Sequence, residues 1–259
     1  TTVSTDANGM ATVNYFMGQQ TDVPNTVKVQ AFQAGTTHLS GSPITLNGTV
    51  LPGIPVAMRK IKEYTQQLPI QRTYPDSLIV ELRDIYQNPV SDIEVQFTAL
   101  NKHGGNIGGQ KQVSLFTNRN GRAGVLYTLG TRAATFSDTV LVSAPSTALT
   151  EERFLLTALP ADPYKITTVG DSSWVLKLGS GALAKTPTVK VSDAYDNAVS
   201  GRPVTFSVTQ GNSTIGGVQS FTVNTLSNGE ASAFWVFNST SPEQHTLTAA
   251  TEFNGAPLQ

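Results

Sequence analysis

Apolar and polar residues alternate along most of this chain, and the alternation restarts after each of three Asn-Gly steps. The first stretch reads Asn8-Gly9-Met10-Ala11-Thr12-Val13-Asn14-Tyr15. The second reads Asn120-Gly121-Arg122-Ala123-Gly124-Val125-Leu126-Tyr127, and the third Asn228-Gly229-Glu230-Ala231-Ser232-Ala233-Phe234-Trp235. Small, apolar and aromatic residues occupy alternate positions, a period of two that predicts a strand with Ala11, Val13, Tyr15 and their equivalents facing a core. The Asn-Gly step supplies the positive φ of a tight hairpin turn. Val113 and Leu115, and Phe221 and Val223, predict the strands entering the second and third turns.

Gly9 and Gly121 are 112 residues apart, and Gly121 and Gly229 are 108 apart. That period is the size of one small domain, so the pattern predicts a repeated unit. A second repeated column lies upstream. Val80-Glu81-Leu82-Arg83-Asp84-Ile85-Tyr86-Gln87-Asn88-Pro89-Val90 matches Val189-Lys190-Val191-Ser192-Asp193-Ala194-Tyr195-Asp196-Asn197-Ala198-Val199. Each predicts a strand ending in Asp, a polar turn, and a return along Val95–Ala99 or Val204–Val208 with one face in and one out. The joints repeat as well. Pro52 and Pro55 close the first unit, and Pro160 and Pro163 the second. Proline fixes φ and restricts its neighbour, so these linkers read as short and stiff, giving a semi-rigid rod.

The expected units are residues 1–52 (the C-terminal part of one domain), 53–160 (a complete domain) and 161–259 (a domain lacking its last strand). Thr1 opens a strand pattern with no charged leader before it, which reads as a cut or processed end. A window from a longer array explains the open ends. Completion by a strand from a neighbouring chain is the alternative.

Composition narrows the function. The formal net charge is −1, which offers no electrostatic case for nucleic acid or anionic lipid. Charged residues are only 14%, low for a cytosolic enzyme, and Thr, Ser, Asn, Gly and Val take their place. There is no cysteine, which excludes a disulfide framework, a thiolate metal site and a Cys nucleophile. No apolar run approaches the ~18 residues of a membrane-spanning helix, so no direct membrane insertion is expected.

The search for chemistry assigns no catalytic, cofactor-binding or metal residue. His38, His103 and His245 fall at non-equivalent places and make no metal-spacing pair. No nucleophile elbow or phosphate loop occurs. Gly104-Gly105-Asn106-Ile107-Gly108-Gly109 and Gly216-Gly217 read as turns and bulges between strands. Asp193, Asp196 and Asn197 share one turn, and Asp162 lies in a joint, so hard-cation binding is the one metal chemistry to weigh. The matching turn keeps Asp84 and Asn88 but has Gln87 for the second Asp. Such a turn needs no metal, because Asp and Asn side chains cap their own backbone. Tyr15, Tyr127 and Trp235 read as core anchors and not as a sugar platform, with Phe234 the outward aromatic. The charged stretch Arg59–Gln67 and the basic loop 101–106 read as drift at solvent-facing positions. The Asn-x-Ser/Thr sites at Asn47, Asn212 and Asn238 carry little weight.

The stretches Asp193–Phe206 and Thr5–Val13 resemble group 1 bacterial immunoglobulin-like domains (Big-1), the tandem repeats of invasins, intimins and related surface proteins. The resemblance spans essentially the whole chain. It implies an extracellular or cell-surface bacterial protein and, like this chain, the family lacks the disulfide of antibody domains. The expected fold is all-β, tandem immunoglobulin-like β-sandwiches in an elongated array. The expected function is a non-catalytic stalk or adhesin segment that spaces a binding region from the envelope, with neighbouring repeats as its partners. Three alternatives stand beside it: a module binding a glycan or host protein, a filament subunit joined by strand exchange, and an accessory region of a secreted enzyme. No cofactor is expected.

Overall fold

The structure is a computed structural model that describes residues 1–33, 37–100, 102–177, 183–237 and 243–258. Asn101 of the basic loop, Asn238 of the third Asn-x-Ser/Thr site and Gln259 lie outside the described residues. The described residues contain strands and turns and no helix.

Eight strands build the middle of the chain: β5 (Ala57–Lys60), β6 (Leu68–Pro69), β7 (Leu78–Arg83), β8 (Glu94–Ala99), β9 (Gln112–Phe116), β10 (Arg122–Val125), β11 (Ala134–Ser143) and β12 (Glu152–Leu159). One sheet runs β10-β7-β5 and the other β6-β12-β11-β8-β9. All pairings are antiparallel except the short β6–β12 contact. The sheets enclose one buried cluster that includes Val80, Leu82, Phe97, Tyr127, Val142 and Leu156, each with no solvent exposure. Leaving short β6 aside, strands one, two and five form one sheet and the remainder the other, which is the Greek-key order of an immunoglobulin-like sandwich. Buried residues alternate with half-buried ones along β8 and with exposed or half-buried ones along β12, as a strand with one face on the core requires.

The third stretch contains β13 (Lys165–Val169), β14 (Leu183–Lys185), β15 (Thr188–Ser192), β16 (Pro203–Gln210), β17 (Ser213–Ile215), β18 (Ser220–Asn224), β19 (Glu230–Ser232), β20 (Trp235–Phe237), β21 (Thr246–Ala250), β22 (Glu252–Phe253) and β23 (Ala256–Pro257). Its sheets run β13-β15-β19, β18-β16-β21 and β14-β20-β17, with β22 and β23 as a small separate pair. A second buried cluster, with Val191, Val204, Phe206, Ile215 and Trp235, lies among them. It shares no residue with the first.

The opening stretch is thinner. The strand β1 (Asn25–Val29) pairs with β4 (Ile44–Gly48), and β2 (Phe32–Gln33) with β3 (Thr37–His38). The strand expected at residues 10–15 does not form, and Val13 and Tyr15 are about half exposed. A strand is stable only with a ladder partner and a covered face, and among the described residues no strand pairs with this stretch.

The repeated turns join different sheets. Residues 118–121 close a turn with Gly121 N–H donating to the Asn118 carbonyl, and Gly121 has the expected positive φ of 70°. The strands on either side are not hairpin partners: β9 pairs with β8, whereas β10 pairs with β7 in the facing sheet. The corner is therefore a crossover between layers, and the third Asn-Gly turn repeats it, with β18 on β16 and β19 on β15.

Candidate functional site: a duplicated Asp–Asn clamp

The turn that follows β7 begins at Asp84. Its Oδ1 accepts the N–H groups of Tyr86 (2.8 Å) and Asn88 (2.9 Å), and its backbone closes on Asn88. Gln87 sits at φ 66° to complete the turn. Such an Asx arrangement is how a short carboxylate side chain satisfies backbone donors in a tight bend. The second carboxylate oxygen is also occupied: Oδ2 accepts Asn88 Nδ2 and the N–H of Gly53, both at 2.9 Å. Asp84 thus ties its own turn to the segment that leads into β5, where Val56 N–H also bonds the Arg83 carbonyl.

Asn88 faces the other way. Its Oδ1 accepts Thr21 N–H at 3.0 Å, and its Nδ2 donates to the Gln19 carbonyl at 2.8 Å. Gln20 Nε2 reaches the Tyr86 carbonyl at 3.1 Å. One amide side chain therefore grips two backbone positions of a loop more than sixty residues earlier. Asp84 and Asn88 are both almost fully buried.

The same construction recurs after β15, atom for atom. Asp193 Oδ1 accepts Tyr195 N–H (2.8 Å) and Asn197 N–H (2.9 Å), and Asp196 takes φ 66°. Asp193 Oδ2 accepts Ala161 N–H (3.0 Å) and Asn197 Nδ2 (2.9 Å). Asn197 Oδ1 accepts Ala133 N–H (2.8 Å), and its Nδ2 donates to the Thr131 carbonyl (2.9 Å). Tyr195 adds a bond from its hydroxyl to Gln71 Oε1 at 2.8 Å. Tyr164 N–H bonds the Ser192 carbonyl, the counterpart of Val56 and Arg83. Both clamps lie beside the proline joints that the sequence marks.

The electrostatics fit a carboxylate held by donors. Burial pushes the Asp84 carboxyl up, and the bonds from the Asn88 side chain and the Gly53, Asn88 and Tyr86 N–H groups outweigh it, leaving the group below its ordinary value. The carboxylates weighed for a hard cation face these partners. Asp193 presents both of its oxygens to N–H donors. Asp196 turns to Lys165 instead, with 2.5 Å between its Oδ1 and the ammonium, and that hydrogen bond and charge hold its carboxyl low. Asp162 is exposed. No group of three or more His, Cys, Asp or Glu placed to hold a metal occurs among the described residues.

Two features beside the clamps were not visible in the sequence pattern. Glu81 sits at an outward position of β7, yet it is almost fully buried because Arg83, Arg59 and Arg122 close over it. The hydrogen bond from Arg83 leads, and together with Arg59 and Arg122 it outweighs burial and lowers the Glu81 pKa to about 2. Arg59, read as drift, is thus a specific partner. At the matching position β15 has Lys190, opposite Glu230, so the cross-strand charges of Glu81 and Arg122 are reversed. The second feature is a corner. Tyr127 Oη donates to Asp138 Oδ1 at 2.8 Å, and Gly130 N–H donates to the same oxygen at 2.9 Å. Tyr15, Gly18 and Asn25 repeat that triangle at 3.3 and 2.9 Å.

The remaining candidates stay apart. Tyr127 and Trp235 are buried anchors, the latter donating Nε1–H to Ser213 Oγ at 2.9 Å, whereas Tyr15 is half exposed and Phe234 faces outward. His38 packs on Phe32, His103 offers its carbonyl to Thr131, and His245 packs on Phe237.

No family model and no curated protein matches the chain. Solved structures do. An integrin-binding bacterial invasin is 19% identical over 77% of this chain and 36% of its own, with a TM-score of 0.33. The Escherichia coli adhesin FdeC is 15% identical over 98% of this chain and 88% of its own, with a TM-score of 0.48. Domains 4–9 of the surface-layer protein SbsC are 15% identical over 92% of this chain and 34% of that one, with a TM-score of 0.31. The chain spans about a third of the length of the invasin and surface-layer chains it matches.

Proposed function

We propose that this chain is a non-catalytic spacer segment of a bacterial cell-surface or secreted protein, built from group 1 immunoglobulin-like repeats in tandem. In this reading residues 1–52, 53–160 and 161–259 belong to successive repeats, and the neighbouring repeats of the same chain are its partners. The observation that carries it is the duplicated clamp. A spacer must transmit position from one module to the next, and a flexible joint would lose it as random-coil dimensions. Two Asp–Asn pairs, one buried and one with its Asn half-buried, that each bond a joint residue and the loop of the preceding segment are what stiff joints need. Buried, fully satisfied polar networks fix one geometry because every alternative strands a donor or acceptor. The charge balance and the scattered histidines support a role through length and surface instead of chemistry.

The test is a displacement measurement. The chain is inserted between a surface anchor and a fluorescent tag on a bacterial cell. A spacer raises the tag by a fixed increment, and the Asn88→Ala, Asn197→Ala double variant blurs that increment without abolishing display. A tag height that is unaltered by the insertion contradicts the reading.

A further inference from the structure

The outward face of the sheet β10-β7-β5 in the middle sandwich carries an unbalanced row of charge. Period two puts Arg59 of β5, Glu81 and Arg83 of β7, and Arg122 of β10 on this face, and the register sets Arg59 and Arg122 on either side of Glu81. Glu81 Oε2 accepts Arg59 Nε (3.1 Å), Arg59 Nη2 (2.7 Å) and Arg83 Nε (2.8 Å). Its Oε1 accepts Arg83 Nη2 and Arg122 Nε, both at 3.1 Å. Arg83 Nη1 donates to the Gln87 carbonyl. Arg59 Nη1 and both terminal nitrogens of Arg122 have no partner among the described residues, and these two side chains are 59% and 46% exposed. Three guanidinium charges thus share one carboxylate, which leaves an excess of two positive charges on the face. The whole chain has a formal net charge of −1, so the excess is local. The matching row of the third stretch sets Lys190 between Thr167 and Glu230, one cation and one anion. A sheet of this kind therefore forms without the excess.

We propose that this face is a binding site for a sulfated polysaccharide, with Arg59 and Arg122 each holding one sulfate. The site goes beyond the spacer reading and does not rest on it. A guanidinium fork matches the oxygens of an oxyanion, and here the shared carboxylate holds each fork in place, so less side-chain freedom is lost on binding. Glu81 has all of its bonds inside the row and presents nothing to repel an anion. Neighbouring strands lie about 4.8 Å apart, which sets the two outer arginine positions about 10 Å from each other. That spacing suits charges carried on successive parts of a sugar chain. Ala57, Ile79 and Gly124 lie on the same face, where Ile79 crosses the space a side chain at Gly124 would take, and they offer low apolar ground to the C–H face of a sugar ring. An extended acidic peptide is served less well, because the backbone groups of a sheet lie in its plane and this face offers a peptide no main-chain pairing.

The probes are a heparin oligosaccharide, the same oligosaccharide stripped of sulfate, and polyglutamate, each titrated against the full chain. Binding is followed by calorimetry and by the NMR signals of the arginine Nε–H groups. The sulfated probe is expected to bind saturably and to shift the Arg59 and Arg122 signals. Arg59→Gln and Arg122→Gln are each expected to bind it roughly fivefold more weakly, as loss of one exposed ion pair implies. Each variant leaves Glu81 two arginines, and unshifted amide signals of the buried Val80 and Leu82 show that the sandwich is intact. Lys111→Gln removes one exposed charge from the strand before β9, in the other sheet, and is expected to change nothing. Absence of saturable binding by the sulfated probe overturns the proposal, as does equal weakening by Lys111→Gln. Equal binding of the stripped oligosaccharide or of polyglutamate also overturns it, since the face then does not select a sulfated sugar.

Discussion

Asn197 holds the backbone of Ala133, 64 residues earlier in the chain, through a 2.8 Å bond from the Ala133 N–H to its Oδ1. The same side chain bonds Thr131 and Asp193, so both ends of its amide are engaged. Asn197→Ala removes the acceptor and leaves Ala133 N–H without it. A hydrogen bond of this kind contributes about 1 kcal/mol, or roughly fivefold in an opening equilibrium. The Ala133 amide is therefore expected to exchange several-fold faster, with core amides of β8 and β11 unchanged. Asn197→Asp should loosen the site further, since it sets a second carboxylate against Asp193 and the Thr131 carbonyl. Native-state hydrogen exchange reads both variants.

Tyr127→Phe tests the buried corner. It leaves Asp138 Oδ1 with one donor fewer in a place with almost no solvent. The expected loss is about 1–3 kcal/mol, because a buried group left short of partners costs its desolvation. Tyr15→Phe, at a half-exposed phenol with a longer 3.3 Å bond, should be near neutral. Denaturant unfolding of the two variants measures the difference directly.

Acid should act through Glu81. Its folded pKa is about 2 against an ordinary 4.5, so the folded state holds the ionised form more tightly than the unfolded chain does. The stabilisation is fully present above pH 4.5 and is lost as pH falls towards about 2. Glu81→Gln should flatten that part of the stability profile and lower stability at neutral pH, since three guanidinium groups lose their shared anion. Urea midpoints measured from pH 6 down to pH 2 show both effects.

The repeated glycines separate in their tolerance. A Cβ at Gly121 would lie 2.5 Å from the Leu82 carbonyl oxygen, and one at Gly229 2.6 Å from that of Val191. At Gly9 it would meet nothing within 4 Å, although φ is positive at all three. Gly9→Ala should cost only the left-handed backbone term, about 1–2 kcal/mol locally. Gly121→Ala adds a backbone collision and should lower the melting temperature clearly more. Thermal melts of the two single variants decide it.

Much of this was legible in the chain itself. The period-two alternation of Val95–Ala99 and the burial of Tyr127 and Trp235 follow from one covered face. The positive φ of Gly121 and Gly229 follows from the Asn-Gly step. The layer crossing at those turns was not legible, because local turn chemistry is the same whether the next strand pairs beside the last or opposite it. Nor was the burial of Glu81, which depends on Arg59 and Arg122 from two other strands. The Asp84 and Asp193 turns were correctly read as self-capping, yet the outward grip of Asn88 and Asn197 needs loops far away in sequence. The strand at residues 10–15 failed because alternation alone does not supply a partner.

The clamp is expected to fix the geometry across the joint. Because the chain has no cysteine, Lys111→Cys and Ser220→Cys, both at exposed positions, place two spin labels on the two sandwiches without interference. Pulsed dipolar spectroscopy then reports the distance distribution between them. A single narrow distribution that broadens with Asn197→Ala is the predicted result. A broad distribution in the parent protein, or a narrow one that Asn197→Ala leaves unchanged, would contradict a joint held by the clamp.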